Sequence, residues 1–254
     1  MRAYQPRERG GGSIFDRIDD GSLSRLSFEH FSHISLKLGY FFRSTPKVAS
    51  SSLLTTLHKL ELEDRAFAHT PAGAVHDRGN SPLAAPAQVA DIDALLDGEL
   101  LRFCFVRNPV DRFISAYLDK VRPSGGGLGP MVAAAHGLPP ESEVTIMQFA
   151  EVVAHQPRPD MDPHYSVQAW HLASDLIEYD LIGRFEHYDR DLAELGRRLG
   201  VDLASWESRI DHHWTGPKLY SHFLEPDLMA IIVQTYQEDF ERFGYPTALA
   251  AYTG

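Results

Sequence analysis

Two short segments of this chain place cations and small hydroxyl side chains where a strand gives way to a helix, a composition suited to holding phosphate-like groups. The first runs Tyr40-Phe41-Phe42-Arg43-Ser44-Thr45-Pro46-Lys47-Val48-Ala49-Ser50-Ser51-Ser52. A helix start leaves backbone N–H groups unpaired and carries a partial positive charge. Ser50, Ser51 and Ser52 add hydroxyl donors there, and Lys47 adds a mobile full charge. The second segment runs Leu101-Arg102-Phe103-Cys104-Phe105-Val106-Arg107-Asn108-Pro109 and on to Arg112, Ser115 and Tyr117. An arginine just past a central strand lies at the carboxyl edge of the sheet, where open α/β folds bind ligands. Arg112 and Ser115 are three apart and share a helix face. Each segment alone has a plain structural explanation: a serine-rich cap beside a solvated lysine, or Arg107 or Arg112 paired with Asp111 or Asp119. Both in order, each after a strand, point to a ligand with two separate anionic groups.

The elements that must position these groups follow from periodicity. The first strand is expected at about 38–43, and its helix at 50–60, with Leu53, Leu54, Leu57 and Leu60 on one face. A second strand is expected at Arg65 to His69 and a helix near 91–97. The run from Leu101 to Val106 is continuously apolar after Arg102, as a central parallel strand should be. Asn108 and Pro109 fit the N-cap and first position of a helix running to about Val121. Further helices are expected at 145–155, 189–199 and, as one piece, 226–242, with a strand at Leu181 to Arg184. Strands alternating with helices imply a mostly parallel central sheet flanked by helices, an α/β class. Residues 1–35 are expected to form a flexible N-terminal arm, and 36–254 a single domain with loop insertions near 70–90 and 122–144. Long irregular loops in compact domains are often lids or binding loops, so these two are the expected carriers of acceptor specificity.

The 254 residues are 43% hydrophobic and 23% charged, ordinary for a globular protein. The formal net charge of −11 argues against nucleic-acid or acidic-membrane binding, because like charges repel. It leaves room for an anionic cofactor, since a few cations and amides reverse the potential locally. One cysteine, Cys104, cannot form an internal disulfide and is expected in the core. No run approaches the length of a membrane helix, and the polar start at Met1 to Gly12 lacks the apolar segment of a secretory signal. The expected location is the cytoplasm. No His/Cys/Asp set has the spacing of a metal site.

Pro46-Lys47-Val48-Ala49-Ser50-Ser51-Ser52 resembles the 5′-phosphosulfate loop of sulfotransferases that use 3′-phosphoadenosine 5′-phosphosulfate (PAPS). Arg107-Asn108-Pro109, with Arg112, Ser115, Ala116 and Tyr117, is similar to their 3′-phosphate motif. Tyr179-Asp180-Leu181-Ile182-Gly183-Arg184-Phe185-Glu186 and Asp239-Phe240-Glu241-Arg242-Phe243-Gly244-Tyr245 resemble the carbohydrate sulfotransferase branch, sulfotransferase family 2. The resemblance spans about 38–246. It implies a P-loop-nucleotide-hydrolase-like fold and in-line transfer of a sulfuryl group to a hydroxyl or amine of a carbohydrate or small metabolite, without a metal. It places Lys47 on the bridging oxygen, with Val48, Ala49, Ser50, Ser51 and Ser52 around the 5′-phosphate. Arg107 and Ser115 would clamp the 3′-phosphate, and Lys218 would close over the nucleotide. Members with Golgi locations carry a membrane anchor and several cysteines; their lack here fits a bacterial relative.

The general base stays open among three residues. His164, in Pro163-His164-Tyr165-Ser166-Val167-Gln168, resembles a histidine–glutamine element of carbohydrate sulfotransferases, and His69 sits where a related branch places its catalytic histidine. Histidine suits the role because it exchanges protons near neutral pH. Glu186 is the third candidate, and His212 and His213 are expected at the surface. Two other classes compete: a kinase-like phosphotransferase, which would need the absent GxxxxGK[ST] loop, and an inactive nucleotide-binding module.

Overall fold

The computed structural model describes residues 12–19, 23–122, 127–207 and 221–253. Along these the chain forms α1 (Ile14–Asp19), α2 (Arg25–Phe31), β1 (Ser32–Ser35), β2 (Tyr40–Arg43), α3 (Ser50–Leu62), α4 (Ile92–Ala94) and β3 (Leu101–Val106). It continues through α5 (Pro109–Ala116), α6 (Gly129–Ala135), α7 (Ile146–His155), α8 (Gln168–His171), β4 (Leu181–Arg184) and α9 (Tyr188–Leu199). It ends with α10 (Pro226–Thr235), α11 (Gln237–Phe243) and α12 (Ala250–Thr253). Two compact units result: Met1–Val106 with Ala169–Ile210, and Arg107–Gln168 with Asp211–Gly254.

The first unit is built on a sheet of order β1-β2-β3-β4, in which only the β1–β2 pairing is antiparallel. This is the mostly parallel, helix-flanked sheet expected from the alternation of elements. Side chains alternate across β2, and both of its faces are covered. Tyr40 and Phe42 pack with Leu53, Leu54 and Leu57 of α3, with Phe103 and Phe105 of β3, and with Leu192 and Leu195 of α9. Phe41 goes to the other face, with Ile34, Phe28, Ile14 and Ile18. The rings of Phe42 and Phe103 stack at 4.9 Å. Burial on both faces explains why Tyr40 to Phe42 of β2 and Phe103 to Val106 of β3 read as apolar runs. Parallel pairing sets Arg43 opposite Cys104, so the chain leaves β2 and β3 at the same edge of the sheet. Cys104 is fully buried, and burial pushes its thiol up, out of reach of thiolate chemistry.

Several elements differ from the sequence expectations. Within the stretch expected as an arm, residues 14–19 and 25–31 are helical, and Ile14, Ile18 and Phe28 are buried. β1 was not expected, because Ser-His-Ile-Ser lacks apolar alternation; its polar side chains are buried and bonded instead. Arg43 donates to Ser32 Oγ at 3.0 Å, and Ser35 donates to Glu61 Oε2 at 2.6 Å. Residues 65–69 are irregular rather than a strand. Arg65 lies over the Trp206 ring, 4.1 Å from its centroid, an anchor that needs no strand partner.

The second unit is helical. α10 packs against α7 and α5, and its centre is aromatic: Phe113 stacks on Phe149 at 4.8 Å, and Tyr165 meets Phe149 edge-on at 5.2 Å. The stretch 122–144, expected as loop, contains α6, which starts on Gly129-Pro130 and buries Val132 and Ala133. The helix expected as one piece at 226–242 is broken at Tyr236, whose hydroxyl donates to the Tyr165 carbonyl at 2.5 Å.

One close approach makes a testable point. A Cβ on Gly183 of β4 would lie 2.5 Å from Cε1 of Phe105, which is fully buried and packed on Tyr188. Gly183→Ala should therefore cost about 1–3 kcal/mol of stability in urea unfolding. An unchanged unfolding midpoint would refute this account of the β3–β4 packing.

Candidate active site

In the first unit, residues 44–49 carry the chain from β2 into α3. Lys47 (φ 71°) and Ala49 (φ 64°) both adopt the left-handed conformation, which disfavours side-chain-bearing residues. Left-handed residues at a turn aim successive amides into a concavity that suits an anion. Val48, between them, is buried in the core and anchors the loop, so its contribution is its backbone. Ala49 is the N-cap of α3 and offers no side-chain cap. The sequence thus leaves the start of a 13-residue helix without the side-chain acceptor that Ser, Thr, Asp or Asn would supply. Lys47 is half-buried, Ser50 and Ser52 are buried, and Ser51 is partly exposed. Thr45 Oγ1 is buried in the same loop and makes no hydrogen bond among the described residues.

A histidine network borders this loop. Arg78 can only donate, so its bond to His33 makes Nδ1 of that ring the acceptor. His33 Nε2 therefore carries the proton and donates to Ser44 Oγ at 3.3 Å, and Ser44 donates to the Phe31 carbonyl at 3.3 Å. Burial, then the Arg78 charge, holds the His33 pKa well below the usual histidine range, in keeping with a neutral ring. His171 Nε2 donates to the Ser44 carbonyl at 3.0 Å, and the His171 carbonyl accepts from the buried Arg43 at 2.6 Å. Ser51 Oγ lies 2.7 Å from His76 Nε2. His58 Nδ1 lies 2.8 Å from His69 Nε2, and burial with the His69, Arg78 and His76 charges brings His58 down to about 3. His69 is thus tied through Nε2 to a neutral partner, and its own pKa is lowered by burial.

In the second unit, Asn108 caps α5 by accepting from the Val110 amide at 3.0 Å, with Pro109 at the first helical position, as the sequence indicated. Arg107 is buried, and its backbone is gripped on both sides by one side chain. Its amide donates to Gln168 Oε1 at 2.9 Å, and its carbonyl accepts from Gln168 Nε2 at 2.8 Å. Gln168 is itself held through its amide, which donates to Asp239 Oδ2 at 2.9 Å. Ser115 lies on α5, 9% exposed. Arg112 is a brace: its guanidinium donates to the Ser166 carbonyl at 2.6 Å and the Pro163 carbonyl at 2.7 Å, fixing the turn that carries His164.

A carboxylate can only accept, so His164 Nδ1 donates to Asp162 Oδ1, at 2.6 Å. The same oxygen accepts from the His164 amide at 2.9 Å. Burial alone would raise the Asp162 carboxyl, but these bonds outweigh it and hold the group below the usual carboxylate range. In the neutral ring the Nε2 lone pair is left as the proton acceptor. This is the arrangement of an oriented general base.

Lys47 to Ser52 and His69 thus belong to the first unit, and Arg107, Ser115 and His164 to the second. Glu186 sits partly buried in a short turn after β4. Lys218, His212 and His213 lie outside the described residues. Sequence reasoning did not find Asp162 as the partner of His164, although Asp-x-His is the spacing of a local side-chain-to-backbone turn. It also did not find the ties from His33, Arg78 and His76 to the loop, which no local spacing encodes. Among the described residues no group of three His, Cys, Asp or Glu side chains is placed to hold a metal, and no helix is long and apolar enough to cross a membrane.

A protein-family model described as "Sulfotransferase family" matches residues 34–246 of the chain. No curated protein and no solved structure matches it.

Replacing the Arg112 brace should uncouple the His164 turn. Arg112→Met takes its donor from the Ser166 carbonyl and leaves the Pro163 carbonyl only the Ser166 hydroxyl at 3.4 Å, at a cost of about 1–3 kcal/mol in denaturant unfolding. Full retention of stability would contradict the brace.

Proposed function

The chain belongs to the sulfotransferase family, whose chemistry is sulfuryl transfer, and on that premise we propose that its donor is PAPS and its acceptor a hydroxyl or amine. The observation that carries this reading is the loop 44–49. Two left-handed residues, Lys47 and Ala49, precede a helix start without a side-chain cap, beside Ser50, Ser51 and Ser52 and a buried threonine hydroxyl that has no partner among the described residues. Such a loop suits a doubly substituted anion better than a lone carboxylate, because it offers amides, hydroxyls and a full charge together.

In this reading the amides of Val48 to Ser52 and the serine hydroxyls hold the 5′-phosphate, and Lys47 neutralises the charge that grows on the bridging oxygen as the sulfur–oxygen bond breaks. The leaving group is 3′,5′-ADP. Arg107 and Ser115 hold its 3′-phosphate, with the Arg107 backbone fixed by Gln168, and Lys218 closes over the nucleotide. The new bond forms between the acceptor oxygen or nitrogen and sulfur. His164 Nε2 takes the acceptor's proton, and Asp162 steadies the imidazolium that results. His164 is favoured over His69 because its proton-accepting nitrogen is defined by a carboxylate, whereas His69 shares its Nε2 with His58. Catalysis is then positioning and charge stabilisation. The acceptor class is a carbohydrate or small metabolite.

Two substitutions test the division of labour. Lys47→Ala should lower the turnover of PAPS about 10²–10³-fold while weakening 3′,5′-ADP affinity far less, because its charge matters most in the transition state. Unchanged turnover would remove Lys47 from the chemistry. Arg107→Ala should instead weaken 3′,5′-ADP binding about tenfold or more, as loss of a charged hydrogen-bond donor does. A variant with wild-type affinity would refute the 3′-phosphate clamp.

A further inference from the structure

We infer that His76 is a positioning residue of the anion loop: it supplies a proton to Ser51 so that the Ser51 hydroxyl can donate its own to the bound donor. This rests on the assignment of Ser51 to the 5′-phosphate made above. Counting protons fixes the direction of the bond. A serine hydroxyl has one hydrogen to give and accepts through its lone pairs. A phosphate ester offers acceptors only. Ser51 Oγ lies 2.7 Å from His76 Nε2, so one of the two donates to the other. If Ser51 gave its hydrogen to His76, it would present a lone pair to an anion, which repels. The hydroxyl can serve the anion only when His76 Nε2 carries the proton and donates to Ser51 Oγ. The order His76 Nε2–H, Ser51 O–H, anion is then the one consistent chain, and each bond in it strengthens the next.

A second tie places His76 independently. Arg78, two residues on, reaches Ser44 through the His33 ring, and the direction of that chain is fixed by the guanidinium's inability to accept. Residues 76 and 78 therefore grip hydroxyls on either side of Lys47, one at Ser44 and one at Ser51. Asp77, between them, is spent on its own turn, accepting from the Gly79 amide at 2.9 Å and from Asn80 Nδ2 at 2.7 Å. The segment expected from sequence to be an acceptor loop is thus built into the donor loop through two imidazoles. His76 is exposed, so the bond to Ser51 is not explained by core packing.

A double-substitution cycle tests this, with 3′,5′-ADP and inorganic pyrophosphate as calorimetric probes. His76→Ala should weaken both probes by about three- to tenfold, the range of one hydrogen bond. In the Ser51→Ala background the same change should have no further effect, because the chain it feeds is gone. Equal weakening in both backgrounds, or none in either, overturns the inference. Binding of 3′,5′-ADP without coupling keeps the donor and sinks the role of His76. Coupling with pyrophosphate while 3′,5′-ADP fails to bind supports His76 and sinks the donor identity. If neither probe binds the wild-type chain, both fall. His76→Gln, with an amide donor near the same reach, should recover part of the lost affinity; a simple space-filling role would let His76→Leu recover as much.

Discussion

Everything described for the first unit depends on the parallel pairing of β2 with β3 under full burial. Because both faces of β2 are covered, its register is fixed by Tyr40, Phe41 and Phe42 together, and a slip of one residue would exchange the two cores. That constraint sends the chain out of both strands at one edge. It delivers Ser44 to Ala49 there as a short, strained connection into α3. The strain at Lys47 and Ala49 is tolerable because both ends are held: Arg43 and Ser44 by His171 and Phe31, and Val48 by the core.

Hydrogen-bond direction decides more here than proximity. Arginine cannot accept and carboxylate cannot donate, so Arg78 dictates the tautomer of His33 and Asp162 dictates that of His164. One ring is thereby kept neutral and used as a structural link. The other keeps the Nε2 lone pair as an acceptor. Among the described residues the pair formed by His58 and His69 meets only the Ser81 hydroxyl, which can donate or accept, and that is the physical ground on which the proposed base is His164 rather than His69.

Much of this was legible in the sequence for identifiable reasons. The central strands announced themselves as apolar runs, and Asn108-Pro109 announced the start of α5 by its capping chemistry. Lys47 and the serines stood out because their types suit a helix-start anion site. β1 was not legible, since Ser32, His33 and Ser35 are buried polar residues satisfied by partners distant in sequence. The expected strand at 65–69 has local propensity but no neighbour in the sheet. Arg112 could be placed from the sequence only on the helix face of Ser115 or beside a neighbouring aspartate, yet its guanidinium is engaged by two carbonyls more than fifty residues away, at Pro163 and Ser166. Periodicity and motif spacing report local structure; long-range hydrogen bonds lie outside their reach.

The central claim is that the chain holds a nucleotide through two separate anions, one of them at the loop 44–49. Thermal unfolding in the presence of 3′,5′-ADP, 5′-AMP, 3′-AMP or Mg-ATP addresses it most directly. A ligand at a hundred times its dissociation constant stabilises by about 2.7 kcal/mol, which is several degrees for a protein of this size. The account predicts a shift with 3′,5′-ADP well above that of either monophosphate at equal concentration. A shift confined to Mg-ATP, or equal shifts for 3′,5′-ADP and 5′-AMP, would contradict it.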